Sequence, residues 1–272
     1  MPRQPDSEFH KNGFAILDTD KRGAILELRR QFLRAFSTIA QLNGLPPVET
    51  DEQVMEFYRT RKDLWVLAYD QVRQLPGIYT QVDDDLLERI KKVSGIEFPA
   101  LTSKIATRID MPYGEGSAPT ISHQDYPTHQ GSFNSVTVWY PLQDTGFEEG
   151  TVQVIPGSHL QGLYNFDSKL NDFVEPGKLR RVKDPTSYLT EDPLNEKFVP
   201  VEVKAGQFLV FSTLLIHRSG LNKSKNIRFC VNLRYNDLTC PEYASRKWFL
   251  NEQTALKNRE VPFAPRYPEL SS

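Results

Sequence analysis

The spacing of hydrophobic positions changes part-way along the chain. Over residues 21–43, Ile25, Leu28, Phe32, Phe36 and Ile39 recur at helical intervals and share one face, which predicts an amphipathic helix. A second helical stretch is predicted over about 51–72. A third runs over about 82–94, with acids first, lysines late and Gly95 just after, an order that suits a helix dipole and a C-terminal stop. Residues 7–18 read as a short lead-in segment. Beyond residue 100 the texture becomes β-rich, punctuated by Gly and Pro. Residues 104–112, 133–142, 150–159, 198–212 and 228–237 read as strands with turns between them. The runs 198–203 and 207–212, joined through Lys204, Ala205 and Gly206, read as a hairpin. No helical pattern separates the strands, which favours a barrel or sandwich over a βαβ sheet.

Residues 160–197 carry little periodicity. They hold Pro176, Pro185 and Pro193 and a basic cluster of Lys178, Arg180, Arg181 and Lys183. A long irregular insertion in a compact fold is either a lid over a site or a loop without fixed structure. The cluster is either a grip for an anionic substrate or a solvated face. The expectation is a mainly β fold with N-terminal helices (α+β), read as one domain over 1–272. Its helical part spans about 1–100, its barrel about 100–237, and a tail follows over 238–272.

Composition narrows the function classes. The 272 residues are 39% hydrophobic and 11% aromatic, enough for a buried core rather than a disordered chain. Lys plus Arg total 33 against 35 Asp plus Glu, so no broad electrostatic claim on nucleic acid or anionic membrane arises. Two cysteines, Cys230 and Cys240, make neither a disulfide framework nor a Cys-rich zinc site. No apolar run approaches a membrane span, and the polar start MPRQPDSEFHKNG lacks an apolar signal core. A cytoplasmic protein acting on a small molecule is the expectation.

The candidate chemistry lies in the β-rich half. His123 and Asp125 form an H-x-D pair which, if extended, turns both side chains to one face. His217 ends the strand-like run FLVFSTLLIH. Brought together, two imidazoles and a carboxylate occupy one face of an octahedron and leave positions open, a set that suits non-haem Fe(II) and its reaction with dioxygen. Each histidine alone reads equally as a hydrogen-bonded core residue. The residues after His217 sharpen the pattern: Ser219 comes two positions later and Arg228 opens a strand with alternating faces. Phe229, Val231, Leu233 and Tyr235 take one face; Arg228, Cys230, Asn232 and Arg234 take the other. An arginine turned into a barrel needs an anionic partner, and a dicarboxylate co-substrate would supply one through a bidentate fork.

These stretches resemble the phytanoyl-CoA dioxygenase family of Fe(II)/2-oxoglutarate-dependent oxygenases. The matching pieces are HQD at 123–125, VWYPLQDTGFEEGTVQVIPGSH at 138–159 and GQFLVFSTLLIHRSGLNKSKNIR at 206–228. The resemblance implies a double-stranded β-helix (jelly-roll) with a metal at its mouth. It implies His123, Asp125 and His217 as iron ligands and Arg228, assisted by Ser219, as the group holding the distal carboxylate of 2-oxoglutarate. Trp139 falls where the family places a tryptophan beside the co-substrate, and reads equally as a core aromatic. Thr107 and Arg108 fall in a region that contributes to the co-substrate site, though Arg108 also reads as a surface charge. The family's upstream lysine contact has no match near Leu67–Asp70, where Tyr69 stands instead. Halogenating relatives replace the ligand carboxylate by a small residue, so the presence of Asp125 implies oxygen transfer or desaturation.

Asn232 and Arg234, on the face of Arg228, are candidate substrate contacts; His129, just past the metal motif, is a weaker one. His159 reads as structural and His10 as a surface residue. The activity so implied is a 2-oxoglutarate-dependent dioxygenase that hydroxylates a small, polar or anionic metabolite, with iron, 2-oxoglutarate and dioxygen as reactants. Two other readings stand beside it: a zinc-dependent hydrolase or isomerase on the same barrel, and a binding module without turnover.

Overall fold

A computed structural model describes residues 5–102, 106–116, 119–120, 122–162, 166–167, 172–173 and 197–248. The expected lid over 160–197, its basic cluster at 178–183 and the end of the tail lie largely outside the described residues.

The chain opens with α1 (Ser7–Asn12), β1 (Phe14–Leu17) and the long α2 (Arg22–Leu42). The second predicted helix is two helices, α3 (Asp51–Thr60) and α4 (Lys62–Val72), broken at Arg61. Thr50 and Gln53 start α3 with a reciprocal capping box. Helix α5 (Asp84–Ser94) is capped by Asp83 and ended by Gly95 in the left-handed region, at φ 79°. The strands follow: β2 (Pro99–Leu101), β3 (Ala106–Asp110), then helix α6 (Tyr126–His129), β4 (Val136–Pro141), β5 (Val152–Val154), the paired two-residue strands β6 (Phe166–Asp167) and β7 (Asp172–Phe173), β8 (Val199–Pro200), β9 (Phe208–Ser212), β10 (His217–Ser219) and β11 (Arg228–Asp237). A short helix, Pro241–Ser245, comes last among the described elements.

Two sheets carry the site. The larger runs β1-β9-β4-β11, with β2 and β3 side by side along the far edge of the ten-residue β11; the smaller runs β10-β5-β8. Every pairing is antiparallel. The arrangement is the expected jelly-roll, open at its edges among the described residues rather than closed by hydrogen bonds.

The alternation read from β11 decides what each face buries. Phe229, Val231, Leu233 and Tyr235 join the helices in one hydrophobic cluster with Phe32 and Phe36 of α2. The Phe32 and Phe229 rings meet edge-on at 6.0 Å. Cys230 turns the other way, into a second cluster between the sheets with Trp139, Leu209 and Phe211. Helices therefore cover the outside of the large sheet, and its inside is left to face the small one.

Two expectations are corrected. The lead-in segment is not merely an approach to α2: β1 pairs with β9 and forms one edge of the large sheet. The expected hairpin of 198–203 with 207–212 does not form. Val199–Pro200 pairs with β5 in the small sheet, whereas β9 pairs with β1 and β4 in the large one. The turn between them switches sheets. Gly206 makes the switch possible: its φ is +92°, and a Cβ there would lie 2.7 Å from the Arg22 nitrogen.

Candidate metal centre

His123 and His217 are joined first by their backbones. Each amide donates to the other's carbonyl at 2.9 Å, an isolated antiparallel bridge between the H-x-D segment and the start of β10. The two imidazoles then stand with centroids 4.2 Å apart. Asp125 sits at the start of α6, with Oδ1 3.5 Å from Nε2 of His123. One ligand atom from each of His123, Asp125 and His217 lies within 4.8 Å of the others, the spacing of donors around one cation.

The surroundings prepare those atoms. Nδ1 of His217 lies 2.9 Å from the Leu215 carbonyl; as a donor there, it leaves the Nε2 lone pair for a metal. Burial, and then the neighbouring His123, push the His217 imidazole down to about 3, so it stays neutral, the form a metal requires. Burial alone would raise the Asp125 carboxyl. The charge of Arg234, helped by the two imidazoles, outweighs it and holds Asp125 well below the usual carboxylate range. Thr137 donates to Asp125 Oδ2 at 2.7 Å, and Arg234 donates to both oxygens at 3.0 and 3.1 Å.

That pairing changes the expectation for Arg234. Register sets it opposite Thr137 on β4, next to the carboxylate, so its guanidinium is bound to the candidate ligand Asp125 while the residue also lines the cleft.

A cleft of about 260 Å³ opens beside the triad. His123, His217, Trp139, Phe211 and Arg228 are among its lining residues. Arg228 is 2% exposed; Nη2 donates to Asp110 Oδ2 at 2.6 Å, while its buried Nε and Nη1 have no hydrogen-bond partner. Two buried donors without a partner, on a residue that lines the cleft, fit an incoming carboxylate, because leaving them unmatched is costly. Ser219 and Asn232 also line the cleft, and Trp139, opposite Asn232 in register, is at once a core residue and part of the wall. Arg218, between His217 and Ser219, has the opposite strand parity: its guanidinium stacks at 4.0 Å over Phe198 and donates to Gln153.

Arg108 and Thr107 both line the cleft. Arg108 pairs in register with Cys230, on the inner face, and its guanidinium meets Asp110 at 2.9 Å. Thr107 pairs with Val231, whose side chain belongs to the helix-covered cluster, and is also among the residues that line the cleft. The Thr107 carbonyl takes the Tyr69 hydroxyl at 2.6 Å, and Tyr69 and Arg73, one turn apart at the end of α4, line the cleft where the family lysine had no match. His129 is buried on α6 and is not part of the cleft lining.

Asp110, Thr137 and Arg73 were missed in the sequence. Asp110 had a signal, being two positions from Arg108 on a strand and therefore on the same face. Thr137 had a similar one, two positions before Trp139. Arg73 had none, because its approach depends on how α4 docks.

Among the described residues no helix is long and apolar enough to cross a membrane. Residues 96–230 match the family model for phytanoyl-CoA dioxygenase (PhyH). A curated relative, phytanoyl-CoA dioxygenase 1 of Oryza sativa subsp. japonica, is 28% identical over 134 residues, which cover 48% of this chain and 40% of the relative. The chain thus matches less than half the length of that relative. Among solved structures, AviO1 from Streptomyces viridochromogenes superposes with a TM-score of 0.52 at 19% identity, over 86% of this chain and 94% of the other. The non-haem α-ketoglutarate-dependent epimerase SnoN from nogalamycin biosynthesis gives 0.51 at 18% identity, over 85% and 80%. At such identities these two establish the fold alone. The stretch that carries His123, Asp125, His217 and Arg228 lies within the match to the phytanoyl-CoA dioxygenase family.

Proposed function

We propose that this protein is a non-haem Fe(II)- and 2-oxoglutarate-dependent dioxygenase that hydroxylates a C–H bond of a small polar or anionic molecule. The observation that carries the reading is the convergence of His123, Asp125 and His217 beside a cleft that is also lined by Arg228, whose buried Nε and Nη1 are unmatched. A ferrous ion with 2-oxoglutarate, when bound, supplies the activation of dioxygen that decarboxylates the oxo acid to succinate and carbon dioxide and oxidises the second substrate.

The chain's own residues do the positioning. His123, His217 and Asp125 would hold the metal by one donor atom each. Thr137 and Arg234 fix the carboxylate. Arg228 binds the distal carboxylate of 2-oxoglutarate with its Nε and Nη1 edge, assisted by Ser219. Trp139 and Phe211 give the cleft an apolar wall that limits water. Asn232 and Arg73 are placed to meet the second substrate, and the guanidinium groups around the cleft favour one that carries negative charge. Asp125 keeps the third position for oxygen rather than halide. The helices and the large sheet share one hydrophobic cluster, which supports reading the chain as one domain.

The test is succinate formation by purified protein with Fe(II), ascorbate and 2-oxoglutarate, abolished by Asp125→Ala. Tight zinc binding with no succinate under any substrate mixture would favour the hydrolase or isomerase reading. Succinate formation that survives Asp125→Ala would remove Asp125 from the metal site.

A further inference from the structure

Arg228 belongs to a buried charge cluster whose other members, Asp110 and Arg108, have no part in the reaction proposed above. Asp110 stands directly across from Arg228 in the β3–β11 register, with Arg108 diagonal to it opposite Cys230. The Asp110 carboxylate is shared: Oδ1 accepts from Arg108 Nη2 at 2.9 Å, and Oδ2 accepts from Arg228 Nη2 at 2.6 Å and from Arg108 Nε at 3.4 Å. Asp110 is 5% exposed and Arg228 2%, so the cluster is shielded from solvent screening. The far side of Arg108 is anchored as well, by a bond from Nη1 to Thr120 Oγ1. Although burial opposes ionisation, the two guanidinium groups hold the Asp110 carboxyl far below its usual range. Two cations and one anion leave a single net positive charge beside the cleft.

We propose that Asp110 is a positioning residue that ties Arg108 and Arg228 into one clamp for a single carboxylate. The proposal rests on the co-substrate reading of the cleft. Asp110 takes Arg108 with both oxygens and Arg228 with one, which fixes both forks against a single carboxylate; Arg228 gives it one nitrogen and keeps Nε and Nη1 without a partner in a residue that lines the cleft. The shared carboxylate also makes two adjacent buried cations tolerable before any ligand arrives. The clamp recognises a monoanionic carboxylate at the end of a short oxo acid. Preorganisation gives it selectivity, since little side-chain entropy remains to be lost on binding.

The test compares two oxo acids of equal chain length by calorimetry on the Mn(II)-loaded protein. 2-Oxoglutarate carries the distal carboxylate; 2-oxopentanoate carries a methyl group there. The native protein should prefer 2-oxoglutarate strongly. If it shows no preference, the role of Arg228 as co-substrate anchor falls, whatever Asp110 does. In Asp110→Asn the amide oxygen can serve only one guanidinium well, and the preference should fall roughly tenfold or more. Affinities for Mn(II) and 2-oxopentanoate should stay unchanged, a pattern that general damage to the cleft would not give. Asp110→Glu should restore part of the preference. Arg108→Gln, at a more exposed position, provides the reading if Asp110→Asn does not fold. There the cluster becomes neutral, Asp110 is free to take Arg228 with both oxygens, and the preference should fall similarly. A preference that persists or rises in Asp110→Asn, or is unchanged in Arg108→Gln where that variant gives the reading, overturns the proposal.

Discussion

Replacing Arg228 by Met removes the guanidinium while keeping a flexible apolar stem. Asp110 would retain its bond from Arg108 at 2.9 Å, so no buried carboxylate is left without a partner. The fold should therefore tolerate the change. Co-substrate binding should not. Nε and Nη1 are the two donors without a partner, and each charge-assisted bond is worth about 1.5–3 kcal/mol. Losing both costs about 3–6 kcal/mol, or roughly a hundredfold to ten-thousandfold in the 2-oxoglutarate dissociation constant. Arg228→Lys keeps the charge but not the planar fork, and should lose about one such bond, roughly ten- to hundredfold. Calorimetry of 2-oxoglutarate binding to the Mn(II)-loaded protein measures both, with Mn(II) affinity as the control. An Arg228→Met protein that binds 2-oxoglutarate about as well as the native one, or that loses Mn(II) instead, would refute the reasoning.

The metal-free protein should become less stable as pH falls below about 6.5, by about 1.4 kcal/mol per pH unit, because His217 stays neutral in the fold down to about 3 while the unfolded chain takes up a proton. Urea denaturation between pH 7 and 5 should show roughly 2 kcal/mol of that loss, and His217→Gln should flatten it; equal slopes for the two proteins would contradict the burial argument. Thr137→Val removes the 2.7 Å bond to Asp125 and should weaken metal binding about 10–100-fold, with a loss under twofold counting against it. Phe229→Ala deletes a fully buried ring that meets Phe32 edge-on and lies 5.3 Å from the Arg29 guanidinium, and should cost about 3–5 kcal/mol in denaturant unfolding. A loss below about 1 kcal/mol there would mean the helices do not depend on the large sheet as the packing implies.

Much of the frame was legible because it follows from local periodicity. The i, i+3, i+4 spacing of α2 foretold the stripe that packs on the sheet, and the alternation of β11 foretold its two faces, one apolar and one bearing Arg228, Cys230, Asn232 and Arg234. The H-x-D pair and His217 were found from residue type and motif. Less legible was what depends on partners distant in sequence. The apparent hairpin around Gly206 failed because adjacent strands in a jelly-roll leave for opposite sheets, which no local pattern encodes. Strand β1 was hidden because four residues are too few to show a period.

The sequence by itself determined which side chains share a strand face and which chemistry they bring, since those depend on backbone geometry over a few residues. Only the tertiary structure decided who meets whom. The bridge between His123 and His217, the assignment of Arg234 to Asp125 and the pairing of Asp110 with Arg228 all arise across strands or loops far apart in the chain. Coulombic and hydrogen-bond partners are chosen by distance in space, and distance in space is set by sheet register rather than by spacing along the sequence.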